Sequence, residues 1–266
     1  MNEFDDVIKL FEEEIAKYIG TKYVVAVSNG TSAIHTALIA SDTWADVITT
    51  PFTFIATVDP ILQIGRKPIF VDIDRKTLCL DPELVQKKLE ENNRISTILN
   101  VDLFGNTENL LEIRKICDNS AVKFIEDASQ AFGAKVKDGR RAGSIGDVGT
   151  FSFYASKNLW TFEGGALVTD DPDIDKKARM IRNHGFDENG EKVMEGYNYK
   201  MPRLCAFIGL TNLRLHKIAI ESELGMLSPK DGYYPKTVYQ NKYYKKYACS
   251  CPVAEEVALK VRMKIY

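Results

Sequence analysis

With 266 residues, 45% apolar and 27% charged, the chain can bury a sizeable core, and its composition argues against a disordered or fibrous protein. A formal net charge of -2 supplies no bulk field to draw nucleic acid or an anionic membrane. The acidic start, Met1 to Asp6, is unlike a secretory signal, and no run nears the length of a membrane span; the cytoplasm is the expected compartment.

Phe4, Val7, Ile8, Phe11, Ile15 and Ile19 recur at helical spacing and open the chain. The run Val24 to Val27 reads as a strand, and Ser28-Asn29-Gly30-Thr31-Ser32 then leads into a helical stretch from Ala33 to Leu38. Gly30 permits a turn, while Thr31 and Ser32 offer hydroxyls and amides at a helix N-terminus. That arrangement serves either as a phosphate seat or as a plain N-cap. His35 reads as a packed histidine with its hydrogen bonds satisfied.

Strands are expected at Val47 to Thr49, Pro68 to Val71 and Thr97 to Val101. Between the last two, Asp81 and Pro82 mark a helix start. The strand Val122 to Ile125 runs into Glu126-Asp127-Ala128-Ser129-Gln130. A carboxylate there can face a cation or a protonated ring nitrogen, or can cap the next helix. The strand Gly149 to Phe153 is followed by Tyr154, Ala155, Ser156 and Lys157. A lysine buried among such residues holds its proton less tightly and makes a better amine for a Schiff base; the alternative is a solvent lysine in a loop. Glu163-Gly164-Gly165 forms a turn before the strand Ala166 to Thr169. Asp170 or Asp171 with Pro172 opens another helix, and Leu204 to Leu215 is a further one.

These short strands lack strict polar alternation, which suits burial on both faces of a parallel sheet. Strand and helix in alternation give an α/β layered fold. After about residue 222 the pattern weakens into a loop signal at Ser228 to Gly232, a basic tyrosine-rich segment from Tyr239 to Tyr247, and a helical segment from Ala254. The tyrosine-rich segment is the obvious local basic patch, yet no nucleic acid is expected as partner.

Cys79, Cys117, Cys205, Cys249 and Cys251 are odd in number and irregular in spacing, unlike a disulfide scaffold. Cys249 and Cys251 lack a neighbouring histidine and read as ordinary thiols. His35, His184 and His216 lie far apart, and no metal site is expected. The chain contains no dinucleotide fingerprint, phosphate loop of the Gly-Lys-Ser kind, or Gly-x-Ser-x-Gly elbow.

Taken in order, the polar clusters resemble the DegT/DnrJ/EryC1/StrS family of pyridoxal-phosphate-dependent sugar aminotransferases. The matching stretches are Val27 to Ala33, Thr50 to Thr57, Glu126 to Gly133, Gly146 to Asn158, Glu163 to Gly165 and Gly196 to Met201. The resemblance runs from about residue 5 to about 217, with a weaker match near 232 to 260. It implies the large domain of a fold type I transferase, with a mostly parallel seven-stranded sheet between helices. Residues 1–222 are then the cofactor-binding domain and 223–266 a much reduced small domain, the family pattern being cut short at both ends.

The implied cofactor is pyridoxal 5'-phosphate. Lys157 resembles the Schiff-base lysine and proton carrier, and Asp127 the residue facing the ring nitrogen. Thr31, Ser32 and Ser152 resemble the phosphate ligands. Phe54 would lie against the ring, and Gln130 would contact its oxygen side. Asn198 resembles the residue that reaches the neighbouring active site of a homodimer. The implied reaction is transamination of a nucleotide-linked keto sugar, with glutamate as amino donor, in polysaccharide biosynthesis. The alternative is a non-catalytic member that binds the cofactor or a protein partner. Lys200 stands where arginine is usual, Arg203 where an acid is common, and Trp160 and Phe162 bring bulk to a stretch of small residues.

Overall fold

The computed structural model describes residues 6–215 and 234–265. His216, the loop signal at Ser228 to Gly232 and the expected boundary at 222/223 lie outside them. Seven strands form one sheet: β1 (Tyr23–Val27), β2 (Asp46–Thr49), β3 (Pro68–Phe70), β4 (Ile95–Val101), β5 (Lys123–Asp127), β6 (Val148–Ser152) and β7 (Gly165–Thr169). Their order is β1-β7-β6-β5-β4-β2-β3. Only β7 runs antiparallel to its neighbours, so the sheet is mostly parallel, as expected. Pro68 begins the edge strand β3, where its missing amide costs no ladder bond.

The helices are α1 (Asp6–Ile19), α2 (Gly30–Ala40), α3 (Ile55–Gln63), α4 (Pro82–Glu91), α5 (Leu110–Ser120), α6 (Pro172–Arg182), α7 (Arg203–Leu215) and α8 (Pro252–Ile265). Two starts follow the cap signals closely. Asp81 accepts from the amides of Glu83 and Leu84, and Asp171 from those of Asp173 and Ile174. Asp170 has a different task, accepting from the Lys22 amide at 2.7 Å.

The strands are buried on both faces because helices cover both. On one face α1 and α7 pack Phe11, Ile15 and Leu210 against Val24, Ala26, Phe151 and Val168, while α4 and α5 cover Ile98 and Phe124. On the other, α2 and α6 pack Ile34, Leu38 and Ile181 against Val25, Ile125, Val148 and Leu167. The alternation of sides along each strand therefore decides which residues meet α2.

The segment 234–265 lies against the β2–β3 side. Val238, Tyr239, Tyr244, Cys251, Ala254 and Ala258 share a core with Phe52, Phe70, Ile73 and Val101. The tyrosine-rich stretch is two 3₁₀ turns, Val238–Gln240 and Lys242–Tyr247, in which Tyr239 and Tyr244 point inward. Tyr239 donates to Glu255 at 2.6 Å and Tyr244 to Asp59 at 2.5 Å. Among the described residues, no helix is long and apolar enough to cross a membrane, and no group of three His, Cys, Asp or Glu side chains could hold a metal.

Candidate active site

The polar clusters singled out in the sequence converge because they follow strand ends on one side of the sheet. In register, Ser152 of β6 lies opposite Gly165 of β7, and Gly165 lies opposite Val27 of β1. Asp127 ends β5 beside Thr150 of β6 and Val101 of β4. Such a line of strand ends is where open α/β sheets bind ligands.

The string after β1 is a built N-terminus. Asn29 caps α2, its side chain accepting from the Ser32 amide at 2.8 Å while Ser32 Oγ accepts from the Asn29 amide at 3.1 Å. Ser28 and Ser32 hydroxyls lie 3.1 Å apart. Capping and phosphate binding are thus not exclusive here: Asn29 performs the first, and Thr31, half-buried in the first turn, stands at the positive helix end that suits the second.

Two glycines allow this N-terminus to press onto the sheet. A Cβ on Gly30 would stand 2.7 Å from the Ser152 Cβ, and one on Gly165 would stand 2.5 Å from the Asn29 carbonyl carbon and oxygen. Gly165 faces backbone, which cannot rotate away. Gly165→Ala is therefore expected to cost about 1–3 kcal/mol, read from urea unfolding, and to move the α2 N-terminus off Ser152.

Asp127 is buried at 5% exposure and is held from two sides. Thr57 of α3 donates to Oδ2 at 2.8 Å, and the Ser129 amide donates to Oδ1 at 3.2 Å. Thr53 in turn bonds Thr57 at 2.8 Å. Thr57 carried no separate signal in the sequence; its bond to Asp127 joins residues 70 positions apart and is visible only in the fold. Glu126 points to the opposite face and accepts from the amides of Gly143, Ile145 and Gly146 at 2.6 to 2.8 Å. It braces that loop. Buried Asp102, at the end of β4, accepts from Asn100 at 2.8 Å. Burial and then the Glu126 charge push Asp102 well above the usual carboxylate range.

Lys157 follows β6 in a turn closed by its amide donating to the Tyr154 carbonyl at 2.9 Å. Burial lowers its proton affinity, and the Asp127 charge opposes that effect without reversing it. The lysine therefore lies within reach of the carboxylate's charge. Phe54, the residue before α3, is 58% exposed. Gln130 is committed at both ends: Oε1 accepts from the Phe104 amide at 3.0 Å, and Nε2 donates to the Tyr234 hydroxyl at 2.8 Å. Tyr234 was not foreseen, because nothing local to it indicates a contact 104 residues away. Asn198 is exposed on the arm after α6 and bridges Asn183. The Ser28 amide bonds the Tyr199 carbonyl at 2.8 Å, which ties that arm to the α2 entrance.

The reading of His35 needs correction. The ring is packed against Tyr197 and Tyr199, and Nδ1 meets the Tyr199 hydroxyl at 3.2 Å, but Nε2 is buried with no hydrogen-bond partner among the described residues. A helix face apolar enough to bury the ring offers no second acceptor or donor. Burial lowers the histidine pKa below its ordinary 6.5. The unfolded chain then takes up the proton first, so stability falls as pH drops below about 6.5. Unfolding free energies at about pH 7.5 and 5.5 should show a smaller acid loss in His35→Gln than in the wild type.

A model of the DegT/DnrJ/EryC1/StrS aminotransferase family matches residues 4–223. The chain belongs to this family. It is 35% identical to GDP-perosamine synthase from Vibrio cholerae over 217 residues, covering 79% of this chain and 58% of that protein. A DegT DnrJ EryC1 StrS aminotransferase from Brucella abortus superposes with a TM-score of 0.85 at 25% identity, over 95% of this chain and 83% of that one. NtdA from Bacillus subtilis with bound cofactor PMP superposes at 0.78 with 26% identity, over 95% and 70%. The chain spans 55% to 62% of the length of the curated relatives it matches.

The cofactor of this family is pyridoxal 5'-phosphate. The residues present suit it: a helix N-terminus pressed onto Ser152, a buried carboxylate with fixed orientation, and a lysine whose proton is weakly held.

Proposed function

We propose that this protein transfers an amino group from an amino acid, glutamate, to a nucleotide-linked keto sugar, with pyridoxal phosphate attached to Lys157. The observation that carries the reading is the pairing of a desolvated Lys157 with the charge of Asp127 in one site. The family relation supports it, since the Vibrio cholerae relative is named a GDP-perosamine synthase.

The bound cofactor supplies an electron sink that acidifies the carbon next to the transferred nitrogen. The chain's own residues do the rest. Asp127, oriented by Thr57, would face the ring nitrogen and favour its protonated form. Thr31, Ser32 and Ser152 would hold the phosphate at the α2 N-terminus. Phe54 would lie against the ring, and Gln130, fixed by Phe104 and Tyr234, would contact its oxygen side. With its proton weakly held, the Lys157 amine would anchor the cofactor and, when free, carry a proton at Nζ. Asn198 would reach the cofactor phosphate of the partner in a homodimer, with residues 1–222 as cofactor domain and 223–266 as closing segment.

The test is turnover of a panel of GDP-, UDP- and TDP-linked keto sugars with glutamate, followed by ketoacid release. Production of 2-oxoglutarate that depends on one of the sugars is expected. A protein that takes up the cofactor on Lys157 and releases no ketoacid with any sugar would be a binding-only member and overturns the catalytic reading.

A further inference from the structure

We propose that Cys249 and Cys251 form a redox site that takes a small disulfide, of the glutathione class, as its oxidant and closes into an intrachain disulfide. The two sulfur atoms lie 3.5 Å apart. Cys249 is exposed, and Cys251 is buried directly behind it, 1% exposed, at the start of α8. The segment is held in place around them. Asp72 accepts from the Val253 amide at 2.8 Å and the Ala254 amide at 2.9 Å, which occupies the first-turn donors of α8. Cys249 Sγ also lies 3.5 Å from the Phe70 carbonyl oxygen. An accessible thiol with a second thiol waiting behind it is the arrangement that thiol–disulfide exchange requires.

The charges nearby divide the roles. A hydrogen bond from the Cys251 thiol favours the thiolate of Cys249 and lowers its pKa; burial opposes this, Lys88 assists it, and Asp72 and Glu255 oppose it. The same hydrogen bond and burial push the Cys251 thiol up. Cys249 is therefore the attacking sulfur and Cys251 the resolving one. Cys249 attacks one sulfur of oxidised glutathione and expels one glutathione thiolate, which takes a proton from solvent. Cys251 then loses its proton to solvent and attacks Cys249, expelling the second glutathione. Two cysteine thiols are oxidised and one disulfide is reduced to two thiols. So short a loop removes little entropy from the unfolded chain, so a reversible redox site suits the pair better than a structural staple.

Two of the three remaining cysteines serve as internal controls; Cys205 is half-buried and is followed separately in its own peptide. Cys79 and Cys117 are buried, with thiols pushed up to about 12. The full chain is incubated in mixtures of oxidised and reduced glutathione, quenched in acid, alkylated and mapped by peptide mass. The expected result is loss of two hydrogens from the peptide carrying Cys249 and Cys251, reversed by excess reduced glutathione, with Cys79 and Cys117 still thiols. Native alkylation of Cys249 should outpace that of Cys79 and Cys117 by more than about tenfold. Cys251→Ser should trap one glutathione on Cys249, and Cys249→Ser should take up none on the peptide that carries residues 249 and 251, both with unchanged circular dichroism. A pair that stays reduced in oxidised glutathione, a Cys251→Ser variant that carries no glutathione, or a Cys249 crosslink between two chains would each overturn the proposal.

Discussion

Lys157→Ala is expected to abolish covalent cofactor attachment and to reduce turnover by about 10²–10⁴-fold or more, the range for loss of a positioned proton carrier. The visible band of the lysine-bound cofactor should disappear, and borohydride should no longer label the peptide that contains residue 157. The fold should survive, and the sign of the stability change can be worked out. Burial lowers the proton affinity of Lys157 in the folded chain relative to its ordinary pKa of 10.5. The unfolded chain therefore binds that proton more tightly, and the wild-type apoprotein is penalised at neutral pH. The variant should be at least as stable as the wild type in urea near neutral pH. The difference should vanish as the pH rises towards about 10.5, where the unfolded lysine also loses its proton. A variant that keeps the band would move the attachment to another lysine.

Asp127→Asn is expected to lower turnover by about 10²–10³-fold, the scale for removing one oriented electrostatic group from a reacting centre. The substitution retains an acceptor for the Thr57 hydroxyl, so the loss reports charge more than shape. A second readout does not need turnover. The Asp127 charge holds the Lys157 pKa up against burial, so its removal should lower that pKa further. The pH dependence of Lys157 modification by an amine reagent in the apoprotein should then shift to lower pH. An unchanged profile would mean that the two groups do not share a site.

The layered α/β architecture was legible because buried parallel strands write themselves as apolar β-branched runs; all seven such runs proved to be strands of one sheet. Asp81 and Asp171 were legible as caps for a local reason: each bonds amides two and three residues ahead. The second glycine of Glu163-Gly164-Gly165 read only as a turn. Its need arises from Asn29, which touches it across a strand pairing. By their place at a strand end alone, Glu126 and Asp127 were indistinguishable, and only the family resemblance singled out Asp127. The pleat sends one into a loop brace and the other towards Thr57 and Lys157.

What the sequence by itself determined is the set of chemical groups and their local settings: a lysine just past a strand, a carboxylate at another strand end, and hydroxyls at a helix start. Those depend on spacing along the chain, which sequence displays directly. The tertiary structure alone decided which of them meet. It aligned Val27, Gly165 and Ser152 in one row, brought Thr57 to Asp127 and Tyr234 to Gln130, and set Cys251 behind Cys249 at the start of α8. These pairings depend on strand order, on which face of the sheet a residue points to, and on how the segment 234–265 lies against the β2–β3 side. Such relations are long-range, and no local pattern of residues encodes them.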